Sequence, residues 1–383
     1  MKKLTTQLLC SLLFIAAFFA SSCNSTFEKD LSKHVDIVVA SDGSGDYETV
    51  MEAIAAAPSD SPDPVLIYIK NGLYHEKIIV PNDKPNLVFF GEDMDSTILS
   101  YNDRSVYTVE LNTFTSHSVR VDASNVSFYN LTIRNPETGS QAVALHGNGD
   151  KQMFIHCRIT GWQDTYYIDM RARNYFKDCF IEGATDFIFG FGIVVFDSCH
   201  INTLGRYVTA ASTPEQYKFG MVFRDCKITA KEGLGSYSLG RPWFDYARTV
   251  FMHCYESEGL SPEGWSAWGE RQNTCFYREY KCYGPGSDTA NRVFFGKQLT
   301  DKEAEEYTLE NIYGAGNYPT GDEDYSIYLE KRFVGHKNEP YLEYIVFRAD
   351  GEWPEKPAED WIPAPERDPW YKILYAYAEP LLK

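Results

Sequence analysis

Phe154-Ile155-His156-Cys157-Arg158-Ile159 and, with its Cys 22 residues further on, Tyr175-Phe176-Lys177-Asp178-Cys179-Phe180-Ile181 are the stretches whose reading decides the fold. Both begin with an aromatic or aliphatic pair, pass through polar residues, and end on a small or apolar residue followed by x-Ile. Upstream the pattern reads Phe128-Tyr129-Asn130-Leu131-Thr132-Ile133. Downstream it reads Val195-Phe196-Asp197-Ser198-Cys199-His200-Ile201, then Val222-Phe223-Arg224-Asp225-Cys226-Lys227-Ile228, then a weaker Phe251-Met252-His253-Cys254. The column from Leu131 to Cys254 is spaced 26, 22, 20, 27 and 28 residues. Short alternating runs separated by Gly, Asn and Asp are a strand and turn signal rather than a helical one. One strand unit per 20 to 30 residues is what a solenoid requires. An all-β parallel β-helix is therefore expected, against an ordinary β-sandwich with fortuitously similar strands.

A coil of about 22 residues stacks particular polar residues. Gln141 lies 22 before Gln163, and Asp164 lies 22 before Asp186. Neighbouring rungs sit roughly 4.8 Å apart, so two amides and two carboxylates are expected to project side by side. Carboxylates that close cannot both ionise cheaply, and one of them should have a raised pKa. Such stacks also serve as purely structural hydrogen-bond ladders, and spacing alone does not say which Asp would attack and which would act as acid.

Five of the nine cysteines (Cys157, Cys179, Cys199, Cys226 and Cys254) fall in the repeat column. They are expected to face inward as small hydrophobes rather than to form a disulfide framework. Cys275 and Cys282 are close enough in sequence to pair. Cys10 and Cys23 belong to the leader.

Residues 1–22 carry Lys2 and Lys3, an apolar run from Leu8 to Ala20, and Ser21-Ser22 before Cys23. This pattern is that of a secretory signal, and small residues directly before Cys23 resemble a bacterial lipoprotein processing site. The expectation is a signal peptide (1–22), a lipidated Cys23 with a tether (23–35), and a protein at the cell surface or in the periplasm, held to the outer membrane by lipid. Loss of the two leader lysines takes the net charge from −18 to −20. A chain this acidic is a poor nucleic-acid binder and repels polyanions, so an acidic polymer would be met best where its charges are masked. With 44% hydrophobic residues in 383, one long domain can bury a large core. A monomer is expected.

Other chemistries find no equipment. Gly43-Ser44-Gly45 is not a nucleophile elbow, the eight His show no paired zinc-ligand spacing, and no Gly-rich phosphate cradle occurs. No cofactor and no metal are expected.

Several motifs together resemble the pectinesterases (pectin methylesterases). They run from Ile37-Val38-Val39-Ala40 through Asp42-Gly43-Ser44-Gly45-Asp46-Tyr47, the helix-like Val50 to Ala57, and Gly72-Leu73-Tyr74-His75-Glu76. Gln141-Ala142-Val143-Ala144-Leu145, Gly161-Trp162-Gln163-Asp164-Thr165-Tyr166-Tyr167 and Asp186-Phe187-Ile188-Phe189-Gly190 follow. Leu239-Gly240-Arg241-Pro242-Trp243 and Gly284-Pro285-Gly286 complete the set. Trp162, Tyr166 and His146 depart from the family's usual residues and bear on substrate preference.

The resemblance implies a right-handed, single-stranded parallel β-helix, a pectin-lyase-like solenoid, over residues 36–316, and hydrolysis of galacturonate methyl esters in pectin. It makes Asp186 the nucleophile, Asp164 the general acid and then base, Gln141 and Gln163 oxyanion donors, and Arg241 the partner of Asp186. Arg241 with Asp186 could equally be a plain buried ion pair. Trp243, Tyr167 and Phe189 offer flat faces to sugar rings, and Phe187 and Trp162 could do so or simply pack. An esterase of a different ester (acetylated or branched pectin, or an acyl thioester) and a non-catalytic glycan-binding β-helix are the rival readings.

Thr300 ahead of Glu303 reads as a capping box opening a helix toward Leu309. Residues 317–383 carry none of these motifs, yet hold 13 aromatics in 67 residues, too many for a disordered tail. This C-terminal extension, ending in an amphipathic run from Trp370 to Leu382, is expected to pack on the coil, covering an edge or walling the cleft.

Overall fold

The structure, a computed structural model, describes residues 31, 33–108, 110–170, 172–314 and 360–378. The leader and Cys23 lie outside the described residues, as does most of the C-terminal extension. Two compact units are present. The smaller includes the helix Pro369–Ala378, where the rings of Tyr371 and Tyr375 lie 4.3 Å apart. The larger, Ile37–Pro363, contains the coil.

Each copy of the repeat is a corner. Ser127–Tyr129 gives way to Thr132–Arg134 across Asn130 and Leu131, and the later copies repeat the move. The residue before each column member (Asn130, His156, Asp178, Ser198, Asp225, His253, Lys281) has φ between 49 and 56°. Side chains seldom enter this left-handed region, and Asn, Asp and His are the residues enriched there. The polar position in the repeat is therefore a bend, one residue wide.

Eleven strands, from Ile37–Val39 to Gly296–Gln298, stack in chain order into one sheet, and all its pairings are parallel. The second sheet has two branches, one ending in Arg158–Thr160 and the other in Tyr166–Ile168. They fuse on Phe180–Gly190, which runs through the corner between two faces of the coil. The architecture is the expected parallel β-helix.

Its interior is built from the repeat columns. Phe89, Phe128, Phe154, Phe176, Phe196, Phe223 and Phe251 stack face to face with centroids 4.3–5.3 Å apart. Each fully buried ring contributes about 1.5–3 kcal/mol by burial. Ile133, Ile159, Ile181, Ile201 and Ile228 form a second buried column.

The cysteine column is buried and unpaired. Thiols donate back to the carbonyl of the Phe one coil earlier: Cys157 to Phe128, Cys179 to Phe154, Cys226 to Phe196 and Cys254 to Phe223, at 3.2–3.6 Å. Cys275 and Cys282 do not pair; both are free. Cys282 follows the left-handed Lys281 and donates to Phe251 at 3.5 Å, so it is the next rung of the ladder, 28 residues after Cys254. Cys275 instead lies against the Gln272 carbonyl.

The helix Val50–Ala56 opens with a capping box between Thr49 and Glu52. Glu76, from the Gly72 motif, accepts from the Val50 and Met51 amides at 2.8 and 3.0 Å, docking the helix to the first coils. Thr300 caps Asp301–Ala304 as expected, but the helix stops there and a second short one, Leu309–Ile312, begins after Thr308. At the end of the larger unit Trp361 lies 4.8 Å from the Tyr313 ring and under the guanidinium of Arg173. That guanidinium is buried, bidentate on Asp150, and donates to the Tyr313 carbonyl.

Candidate active site

The 22-residue stacking holds in the coil. Gln141 bridges Gln163, and Gln163 bridges Thr185, all in parallel register. Asp164 and Asp186 each follow a member of that row, so the two carboxylates sit on successive coils. Both have left-handed backbone, φ 64° at Asp164 and 49° at Asp186. The Asp186 strand shifts register against its neighbour between Thr185 and Ile188. Asp tolerates this conformation better than most side chains, and the bend turns each carboxyl out of the strand's ordinary alternation.

Gly190 closes the Asp186 motif at φ 124°, where a Cβ would meet the Ile168 carbonyl at 2.1 Å. Gly240 admits the approach of Thr209, whose hydroxyl would lie 2.0 Å from a Cβ there. Arg241 can then lie against the Asp186 coil, its amide donating to the Thr209 carbonyl.

Arg241 is bidentate on Asp186, with Nε to Oδ1 at 2.9 Å and Nη2 to Oδ2 at 2.5 Å. Burial raises the Asp186 carboxyl above its ordinary value, and the hydrogen bonds and charge of Arg241 offset part of that rise. Asp164 has no such partner among the described residues. Burial and the adjacent Asp186 push its carboxyl well above the usual carboxylate range, and the Gln141 hydrogen bond and Arg241 offset this only in part. The pair is thus split into an acid, Asp164, and a carboxylate held by a cation, Asp186.

Gln141 accepts the Thr113 hydroxyl at its Oε1, 2.8 Å away, which turns its amide N–H groups toward Asp164. Gln163 is half-buried and its side-chain amide has no hydrogen-bond partner among the described residues. Two amide donors therefore flank the carboxylates.

The aromatic residues divide. Trp243 is half-buried at the site. Tyr167 and Phe189 are 2% and 3% exposed and form its backing, with Tyr167 to Phe189 at 4.9 Å and Phe189 to Trp243 at 5.8 Å. They leave no open face for a sugar. Phe187 belongs to the hydrophobic core, because the bend at Asp186 sends its side chain into the coil. As platforms these three are corrected. His146, also buried, packs edge-on to Tyr167 at 4.7 Å and so acts behind the wall.

Three site residues escape sequence reasoning. Thr113 arrives on the short 3-10 turn Thr113–Thr115, outside any repeat. Tyr207 and Trp268 lie over the Arg241 guanidinium at 4.1 and 4.0 Å from their ring centroids. Register carried one coil past Asp186 would have reached Tyr207, which pairs with Thr185.

Residues 36–316 match the family model described as Pectinesterase. Pectinesterase 31 of Arabidopsis thaliana is 36% identical over 281 residues, covering 70% of this chain and 88% of the relative. Among solved structures, a pectin methylesterase from carrot is similar at TM-score 0.69 and 35% identity, over 75% of this chain and 97% of that one. A pectin methylesterase in complex with a hexasaccharide is similar at TM-score 0.62 and 27% identity, over 73% and 96%. With the family model spanning most of its length and the register of the coil behind it, the chain belongs to the pectinesterase family.

Proposed function

We propose that this chain hydrolyses the methyl esters of galacturonate units in pectin, releasing methanol. Asp186 attacks the ester carbonyl, a carboxylate being a competent nucleophile when aimed and desolvated. The tetrahedral oxyanion takes hydrogen bonds from the Gln141 and Gln163 amides, and protonated Asp164 gives its proton to departing methoxide. The resulting acyl-enzyme is a mixed anhydride. Asp164, now ionised, removes a proton from water, which attacks the anhydride carbonyl; Asp186 leaves as carboxylate and Asp164 is protonated again. Trp243 presents a ring face to the polymer.

The observation that carries this reading is the unequal sharing of one guanidinium by two stacked carboxylates: Arg241 bonds Asp186 twice and leaves Asp164 the raised acid. A hexasaccharide held by a similar pectin methylesterase supports a polymeric glycan as ligand. Methanol release from highly methylated pectin, measured with EDTA present, tests it. Release by the wild type and none by Asp186→Asn is expected. A folded wild type that releases no methanol sinks the pectin reading.

We further propose that the protein is exported and lipidated at Cys23, on the sequence of its first 23 residues, and that it acts as a monomer. Cys23→Ser should move it from the membrane fraction to the soluble one.

A further inference from the structure

Asp186, Tyr207, Arg241 and Trp268 come from four successive coils. Thr185, just before Asp186, pairs with Tyr207, and Tyr207 pairs with Ser238, three residues before Arg241. Ser238 in turn shares a hydroxyl hydrogen bond with Ser266 at 2.9 Å, two residues before Trp268. The four side chains meet at one guanidinium. Two of its N–H groups are spent on Asp186. Both rings lie over its central carbon at close to van der Waals distance, 4.1 Å for Tyr207 and 4.0 Å for Trp268.

Hydrogen bonds fix a guanidinium within its plane but leave it free to tilt and swing on a long, flexible stem. Aromatic faces restrain that remaining freedom and stabilise the cation where water is partly excluded. We propose that Tyr207 is a positioning residue, forming with Trp268 an aromatic clamp that holds Arg241 in bidentate register on Asp186. The inference rests on the reading of Asp186 as nucleophile. It assigns Tyr207 no contact with substrate: its effect passes through Arg241.

The charged and titratable groups around Asp186 are Arg241, Asp164 on the preceding coil, and the Tyr277 phenol. Of these only Arg241 lowers the Asp186 pKa. If the clamp opens, Asp186 loses part of its fixed cation and titrates at higher pH.

The test compares Tyr207→Leu, which removes the ring, with Tyr207→Phe, which keeps it. Tyr207→Leu should lower kcat about tenfold, leave KM within about twofold, and move the acid limb of the kcat/KM profile to higher pH. Tyr207→Phe should restore wild-type values. An unmoved acid limb with wild-type kcat overturns the proposal, and so does a rise in KM alone, which would make Tyr207 a sugar contact. Thermal melts report folding, and Tyr207→Met gives the same comparison if Leu disturbs it. Carbon-13 NMR of labelled Asp carboxyls reads the Asp186 titration without substrate. An upward move in the Leu variant supports the clamp even if pectin is not hydrolysed, and no move overturns it.

Discussion

This chain contains the same electrostatic inventory twice: two carboxylates on neighbouring coils and one arginine. At the site it is Asp164, Asp186 and Arg241. Near the C-terminal end of the coil it is Glu256, Glu279 and Arg292. Glu256 takes the place in the Ile column after Ile228, with which it is in register, and both Glu side chains are fully buried. Arg292 bonds Glu279 through Nε and Nη2 at 2.9 and 2.8 Å and reaches Glu256 at 3.1 Å. It also donates to the carbonyls of Ser261, Pro262 and Gly286. Burial and the charge of Glu279 raise the Glu256 carboxyl to about 9.

Both clusters therefore hold one excess negative charge in a low-dielectric place, and both resolve it by keeping one carboxyl protonated. A perturbed pKa by itself does not mark the catalytic site. The difference lies in what surrounds the charges. Arg292 spends its donors on carboxylates and loop carbonyls, and Trp265 covers Glu279 with a further N–H. Arg241 spends two donors on one carboxylate and meets rings on its faces, while its side chain stays 23% exposed. Gln141 and Gln163 stand in register in the row beside the carboxylates of that site. The Arg292 cluster ties loops together; the Arg241 cluster, on the proposed reading, is open to a substrate and carries donors for the oxyanion that develops.

That contrast predicts separable effects. Asp186→Asn should lower kcat by about 10⁴-fold or more, as expected for loss of an essential nucleophile, with its melting curve close to that of the wild type. Substantial turnover in a folded variant would remove Asp186 from the chemistry. Arg292→Leu should do the reverse. It leaves a buried carboxylate and its protonated neighbour without a cation and should cost about 3–5 kcal/mol in stability, with kcat per folded molecule unchanged. A stable Arg292→Leu protein with impaired kcat would show that the two clusters are coupled. Gln163→Ala should lower kcat by about 10²–10³-fold, the usual loss for one oxyanion donor, without the stability loss of the arginine variant. Wild-type kcat in that variant leaves Gln163 a structural rung.

The sequence made the repeat and the polar stack legible because both depend on spacing, which a coil converts directly into adjacency. Gln141, Gln163, Asp164 and Asp186 are found that way; only the resemblance told nucleophile from acid. What spacing hides is direction. Phe187 reads in sequence as a sugar platform or as packing, and the left-handed backbone of Asp186 turns it into the core. Cys282 was grouped with Cys275 by nearness, although the 28-residue step from Cys254 places it in the ladder. Thr113, Tyr207 and Trp268 reach the site from outside the repeat or from later coils, with no periodic signal of their own. Glu256 occupies an Ile position, and nothing in the column predicts a carboxylate there until Arg292 folds back over it.

The last effect expected is a gradual pH slope in the stability of the closed cluster, and its sign follows from linkage. The Glu256 pKa is raised in the folded protein to about 9 and lies near 4.5 when the chain is unfolded. Between those values the folded state binds the extra proton, so stability falls as pH rises, and the fall from this group ends above about 9. One group can contribute at most about 1.4 kcal/mol per pH unit. Glu256→Gln carries a neutral group of similar shape at every pH and removes that slope. Thermal melts at pH 5, 7 and 9 should show the variant equal to the wild type at the acid end and progressively more stable than it toward the alkaline end. Parallel curves would mean that Glu256 is ionised in the folded coil and that Arg292 serves two carboxylates at once. The end cluster would then differ from the active site in electrostatics as well as in access, and the partition into one acid and one carboxylate would belong to the active site alone.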